Sequence, residues 1–180
     1  MKRVLILTVL LSIAALSACG TKENNTSNTA DNGETTVGIA NPWTDSDRGG
    51  VLDATGFDLS VPEGAENVAY SYMQEESLAQ VSYVLDGNEW TYRVRPTEHL
   101  EDLSGMCYEW DIEEDGTVGD MEAKIYAYSE ADEDSEFIDD VFSVHVVNWY
   151  DDVEKATHSL SVSGKNLDGL DIQAVAEKMQ

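Results

Sequence analysis

Basic residues are scarce in this sequence: ten lysines and arginines stand against 36 aspartates and glutamates in 180 residues, a net charge of −26. Such a chain repels nucleic acid phosphates and anionic lipid head groups across a Debye length of about 8 Å at physiological salt, which excludes nucleic acid as a partner. Cysteine is nearly absent. Two cysteines allow at most one disulfide, so a disulfide-stapled scaffold is ruled out. Beyond the first twenty residues no stretch approaches 18 consecutive apolar residues, and no membrane-spanning helix is predicted there. Catalytic signatures are missing too: there is no HExxH helix, GxSxG elbow, P-loop or dinucleotide fingerprint. What the chain does have is a 42% hydrophobic fraction, enough for a packed core, and the length of one domain.

The first twenty residues read as a secretory signal. Lys2 and Arg3 precede an apolar stretch that ends at Leu16, too short to cross about 30 Å of hydrocarbon comfortably, and small residues stand just before Cys19. The run Leu16-Ser17-Ala18-Cys19 resembles the lipobox of bacterial lipoproteins. That resemblance implies a diacylglyceryl group on the Cys19 thiol and cleavage before it, so that residues 1–18 are a signal peptide and Cys19 anchors the protein at the outer face of the cytoplasmic membrane. Losing Lys2 and Arg3 removes two positive charges and takes the net charge from −26 to −28. Cys107 then has no thiol partner. Residues 19–40 form a tether: from Thr21 to Thr36 there is no large aliphatic side chain, and a flexible linker of this length reaches some 20 to 30 Å.

From residue 41 to 180 the pattern is that of one α+β domain, an antiparallel meander sheet of about seven strands covered by a C-terminal helix. Ala79, Val81, Tyr83 and Leu85 share a face, and beyond the turn at Asp86-Gly87-Asn88 so do Trp90, Tyr92 and Val94. The same alternation predicts strands around Asn67 to Met73, Met106 to Ile112, Met121 to Ala127, Phe142 to Val146, and Ala156 to Val162. Near the end the period changes. Ile172, Val175, Ala176 and Met179 fall at helical spacing, with Asp168 expected as N-cap and Asp171 in the first turn. A weaker helix is predicted over about Asp45 to Ala54.

The best metal candidate is the twelve residues from Asp111 to Glu122. Asp111, Glu113, Asp115, Thr117 and Glu122 occupy liganding positions of an EF-hand-type calcium loop, with Gly116 at its sharp turn. Its flanks alternate like strands, however, so a solvated hairpin is predicted, with no metal and no cofactor assigned. Residues 111–140 carry 13 carboxylates and one cation, Lys124, a run expected to be a solvated face. Arg93 and Arg95 are expected to pair with Glu109 and Asp111 across neighbouring strands. Trp90, Trp110, Tyr83, Tyr92 and Tyr108 read as core, whereas Tyr126, Tyr128, Tyr70 and Tyr72 are candidates for an exposed aromatic strip. His158, in register with Leu160 and Val162, reads as a hydrogen-bonded core histidine, and His99 and His145 lie on other elements.

Several pieces carry a further resemblance: Asn41-Pro42-Trp43, Gly56 to Pro62, Gly87 to Pro96, Glu101 to Gly105, and Val147 to Tyr150. With them the chain resembles a family of Gram-positive lipoproteins that carry a domain of unknown function, related domains being ectodomains of membrane-anchored regulatory proteins. The resemblance spans residues 41–180 and implies no catalytic residue. It also implies a strand pair over Thr117 to Tyr128, while the run Glu130 to Asp140 departs from the family pattern. The expected function is a membrane-anchored envelope lipoprotein with a non-enzymatic binding or sensing domain. The alternatives are a calcium-dependent binding module and an envelope hydrolase.

Overall fold

In the computed structural model, residues 41–131, 141–165 and 167–179 are described; the signal, Cys19, the tether and the acidic run 132–140 lie outside them. Period-two sequences form eight strands: β1 Thr44–Ser46, β2 Glu66–Met73, β3 Leu78–Leu85, β4 Asn88–Pro96, β5 Ile112–Val118, β6 Met121–Ala131, β7 Val141–Asp151 and β8 Ala156–Lys165. They make one antiparallel sheet, which with helices α1 (Arg48–Thr55) and α2 (Ile172–Ala176) gives the α+β class the sequence predicts. Tight turns set the register. Leu85 pairs with Asn88 across Asp86-Gly87, both at positive φ, the geometry that a two-residue hairpin loop requires.

The strand order β1-β2-β3-β4-β8-β7-β6-β5 departs from a simple meander at one point. Two four-stranded meanders are joined through β4 and β8, which puts β5 at the far edge. Residues 97–111 must therefore cross the sheet. They run as a strap over the polar face, and the strand expected from Met106 to Ile112 is replaced by this strap leading into β5. The strap binds successive strands as it goes: the Thr157 hydroxyl on β8 donates to the His99 carbonyl, the Leu103 amide donates to Asn148 Oδ1 on β7, and Trp110 and Tyr108 pack on Tyr126 and Tyr128 of β6.

Both faces of the central strands are consequently buried. On the helix face, Val81, Tyr92, Val94, Val147, Trp149, Leu160 and Val162 pack with Val51, Leu59, Ile172 and Ala176. On the strap face, Val144, Val146, Ser159, Ser161 and Asn148 are also buried, so the polar face is not the open surface that a one-sided sheet would offer.

Arg93 holds the strap down. Its guanidinium donates to Gln80 Oε1 at 2.7 Å and to the carbonyls of Leu103 and Ser104 at 2.9 and 2.6 Å, with the Trp43 ring 5.4 Å away. Gly105 has φ +65°, and a Cβ there would lie 2.6 Å from Arg93 Nη1. Arg95 bridges Glu76 and Glu101. The expected partners Glu109 and Asp111 are not those of either arginine, because the segment that carries them is strap rather than neighbouring strand.

The C-terminal helix begins later than Asp168. Asp171 is the N-cap, accepting from the Ala174 amide, α2 runs Ile172–Ala176, and a 3-10 turn covers Glu177–Met179. Leu167 is buried in the segment before it, and Gly169 at φ +76° turns the chain there, which moves the cap to the second aspartate. The helix predicted near Asp45 is α1, capped by Asp47 and ended by Gly56 at φ +85°.

Candidate functional site

A cavity of about 450 Å³ opens on the helix face beside the β7–β8 hairpin. Trp149 and Tyr92 supply its aromatic wall, Phe57, Leu59 and Met179 close it from the helix side, and His158, Asp151 and Glu154 meet at one end. Strand register explains the meeting: Trp149 and Val94 both pair with His158, and Asp151 pairs with Ala156 across the turn that contains Glu154. Asp151 Oδ1 accepts the amides of Val153 and Glu154 at 2.7 and 3.0 Å, so the turn fixes its carboxylate.

His158 is 8% exposed, and its ring lies nearly parallel to Trp149 at 5.1 Å and to Tyr92 at 6.1 Å. Nδ1 shares a 2.8 Å hydrogen bond with the Tyr92 hydroxyl. Nε2 is buried and has no hydrogen-bond partner; its nearest acidic atom, Glu154 Oε2, is 3.4 Å away. Donor atoms of Asp151, Glu154 and His158 all lie within 4.8 Å of one another. Asp58, on the cavity wall, is held by Arg48 at 2.6 and 2.9 Å, and that hydrogen bonding lowers its carboxyl below the ordinary value.

Burial lowers the His158 imidazole from 6.5 to about 4, against an opposing push from Asp151. The folded protein therefore keeps this ring neutral while the unfolded chain protonates it near 6.5. Stability should fall as pH drops from about 6.5 to about 4, by about 3 kcal/mol over the window. Acid also relieves repulsion among the carboxylates, so the measurement is a difference: urea unfolding of wild type and His158→Gln at a series of pH values. The stability gap should narrow by about that amount between neutral pH and pH 4. A gap that does not change with pH would refute a buried neutral imidazole.

The sequence-predicted sites are distributed differently. Asp111 to Glu122 is the β5–β6 hairpin: Thr117 pairs with Glu122 and Asp115 with Lys124, whose ammonium lies 3.1 Å from Asp115 and 3.9 Å from Glu113. Asp111 accepts from the Ser129 amide, roughly 20 Å along the hairpin from Glu122 at 3.3 Å per residue. Asp111, Glu113, Asp115, Thr117 and Glu122 thus do not converge on one ion.

The aromatics also divide differently. Tyr83, Trp90 and Tyr92 are core, as expected, but Tyr108 and Trp110 belong to the strap and cover Tyr126 and Tyr128. Tyr70 and Tyr72 pack against the core from β2, so the four tyrosines do not form one strip. Cys107 is exposed on the strap. Asp151 and Glu154 belong to no motif in the sequence; their spacing to His158 acquires meaning once a turn folds the three together. No family model, curated protein or solved structure matches the chain.

Proposed function

We propose that this chain is an envelope lipoprotein, held through lipid on Cys19 at the outer face of the bacterial cytoplasmic membrane, whose folded domain is a non-enzymatic binding or sensing module of the kind found in the Gram-positive lipoproteins it resembles. The cavity is its ligand site. Support for the anchor comes from the sequence: the charged start, the short apolar run and Leu16-Ser17-Ala18-Cys19. Support for binding comes from one observation, a cavity with an aromatic wall and an unsatisfied imidazole nitrogen at its polar end. Concave sites with apolar walls and a few convergent polar groups are the usual form of small-ligand sites. The described lining brings an imidazole and carboxylates together at that polar end.

Cys19→Ala should move the protein from the membrane fraction to the soluble fraction, since one thioether-linked lipid is the proposed anchor. Membrane retention equal to wild type would refute the anchor. For the binding half, native mass spectrometry of the full chain, extracted in mild detergent, should show a non-covalent small adduct. Protein that carries none, and gains none from the low-molecular-weight fraction of its own culture, would remove the ligand-site reading.

A further inference from the structure

We infer that Asp151, Glu154 and His158 form a binding site for a divalent transition cation, with Zn²⁺ the best match to the donor set. The inference rests on the ligand-site reading of the cavity and names what its polar end holds. The first observation is proximity: the three donor atoms lie within 4.8 Å of one another, on one hairpin and within eight residues of chain. The second is independent of the carboxylates. His158 Nε2 is buried on a side chain that is 10% exposed, and it has no hydrogen-bond partner. A buried polar atom without a partner costs about 1 to 3 kcal/mol, a cost that a bound ion at Nε2 would offset.

The Glu154–His158 spacing suits a shared metal better than a hydrogen bond. Nε2 and Glu154 Oε2 stand 3.4 Å apart. Two ligands each about 2.0 to 2.1 Å from a tetrahedral ion are separated by about 3.4 Å, whereas a good N–H···O bond is nearer 2.9 Å. Tyr92 completes the arrangement. When Nδ1 donates its proton to the Tyr92 hydroxyl, 2.8 Å away, Nε2 presents a lone pair to the carboxylates, and metal-bound histidines are held in this way by a partner on the other nitrogen. Stacking on Trp149 fixes the ring plane.

Charge selects the class of ion. Asp58 on the wall is already matched by Arg48, while among the described residues Asp151 and Glu154 have no lysine or arginine partner. Two carboxylates and a neutral imidazole offset the charge of one dication. Calcium takes six to eight oxygen ligands, and magnesium retains its waters, so a nitrogen donor in a three-ligand set favours a transition ion. A remaining coordination position would face the cavity.

The test titrates Zn²⁺ into the full chain in detergent by calorimetry, with Ca²⁺ in a parallel arm and X-ray absorption on the loaded protein. One Zn²⁺ should bind with a dissociation constant below about 10 µM, the spectrum should contain scattering from a single imidazole, and excess Ca²⁺ should not displace it. Glu154→Gln should weaken binding by about tenfold or more, and its metal-free melting temperature should stay at the wild-type value because Glu154 is exposed. His158→Gln should abolish the imidazole signal; if that variant does not fold, Glu154→Gln decides. The inference is overturned by the absence of saturable Zn²⁺ binding, by equal affinity in wild type and Glu154→Gln, by displacement with Ca²⁺, or by a spectrum without imidazole. Protein that retains an organic adduct but binds no Zn²⁺ would overturn the metal and leave the ligand-site reading in place.

Discussion

Arg93→Ala is expected to destabilise the domain by about 3 to 5 kcal/mol, among the largest effects of any single substitution. The guanidinium is mostly buried, which lowers its pKa, and it satisfies Gln80 Oε1 and the carbonyls of Leu103 and Ser104 at once. Truncation leaves those part-buried acceptors without the guanidinium, and it removes the ring contact with Trp43. Each buried acceptor stranded in this way costs about 1 to 3 kcal/mol. Lysine restores the charge but not the planar fork that reaches three acceptors, so Arg93→Lys should recover less than half of the loss. Urea unfolding gives the numbers, and hydrogen exchange should show residues 97–111 opening first in the alanine variant. A loss under about 1 kcal/mol would mean that the strap is held mainly by Asn148 and by the aromatic stack on β6.

Deleting residues 168–180 should abolish cooperative unfolding. The segment buries Ile172 and Ala176 almost completely and packs Leu170, Val175 and Met179 against the same core. A fully buried aliphatic side chain contributes about 1.5 to 3 kcal/mol, and typical domains are stable by only about 5 to 15 kcal/mol. Gln173 also donates to the Thr117 carbonyl, and Glu177 accepts from the Gly119 amide, so the deletion frees the turn end of the edge hairpin. Near-UV circular dichroism of the chain ending at residue 167 should show no sharp melt. A transition within a few degrees of wild type would show that the segment is peripheral and that the apolar face beneath Leu59 and Trp149 tolerates water.

The chain's strands were legible because alternation is a local property. Trp90, Tyr92 and Val94 face the core in both sequence and structure, and the Asp86-Gly87 turn lies where the dipeptide predicts it. The same rule misplaced Met106 to Ile112. Those residues alternate because the strap presents Tyr108 and Trp110 to Tyr128 and Tyr126 on a sheet face, and periodicity does not distinguish a segment lying on a sheet from one hydrogen-bonded within it. A strand at that segment would make Glu109 and Asp111 the cross-strand partners of Arg93 and Arg95. In the fold, Arg93 reaches main-chain carbonyls and Gln80, and Arg95 reaches Glu76 and Glu101.

By itself the sequence determined the α+β class, the β3–β4 hairpin with its Asp86-Gly87 turn, and the helical C-terminus, because turn chemistry and hydrophobic period act over a few residues. Only the tertiary structure decided that β4 pairs with β8, and with it that residues 97–111 cross the sheet, that both faces of β7 and β8 are buried, and that the helix face retains a cavity. Pairing of distant strands depends on which faces can be covered at the least cost in loop closure and unsatisfied backbone, a balance over the whole chain. The candidate centre shows the same division. Asp151, Glu154 and His158 are ordinary residues of a turn and a strand in sequence, and the site exists because the hairpin turn curls two carboxylates toward an imidazole that Tyr92 and Trp149, from two other strands, hold in place.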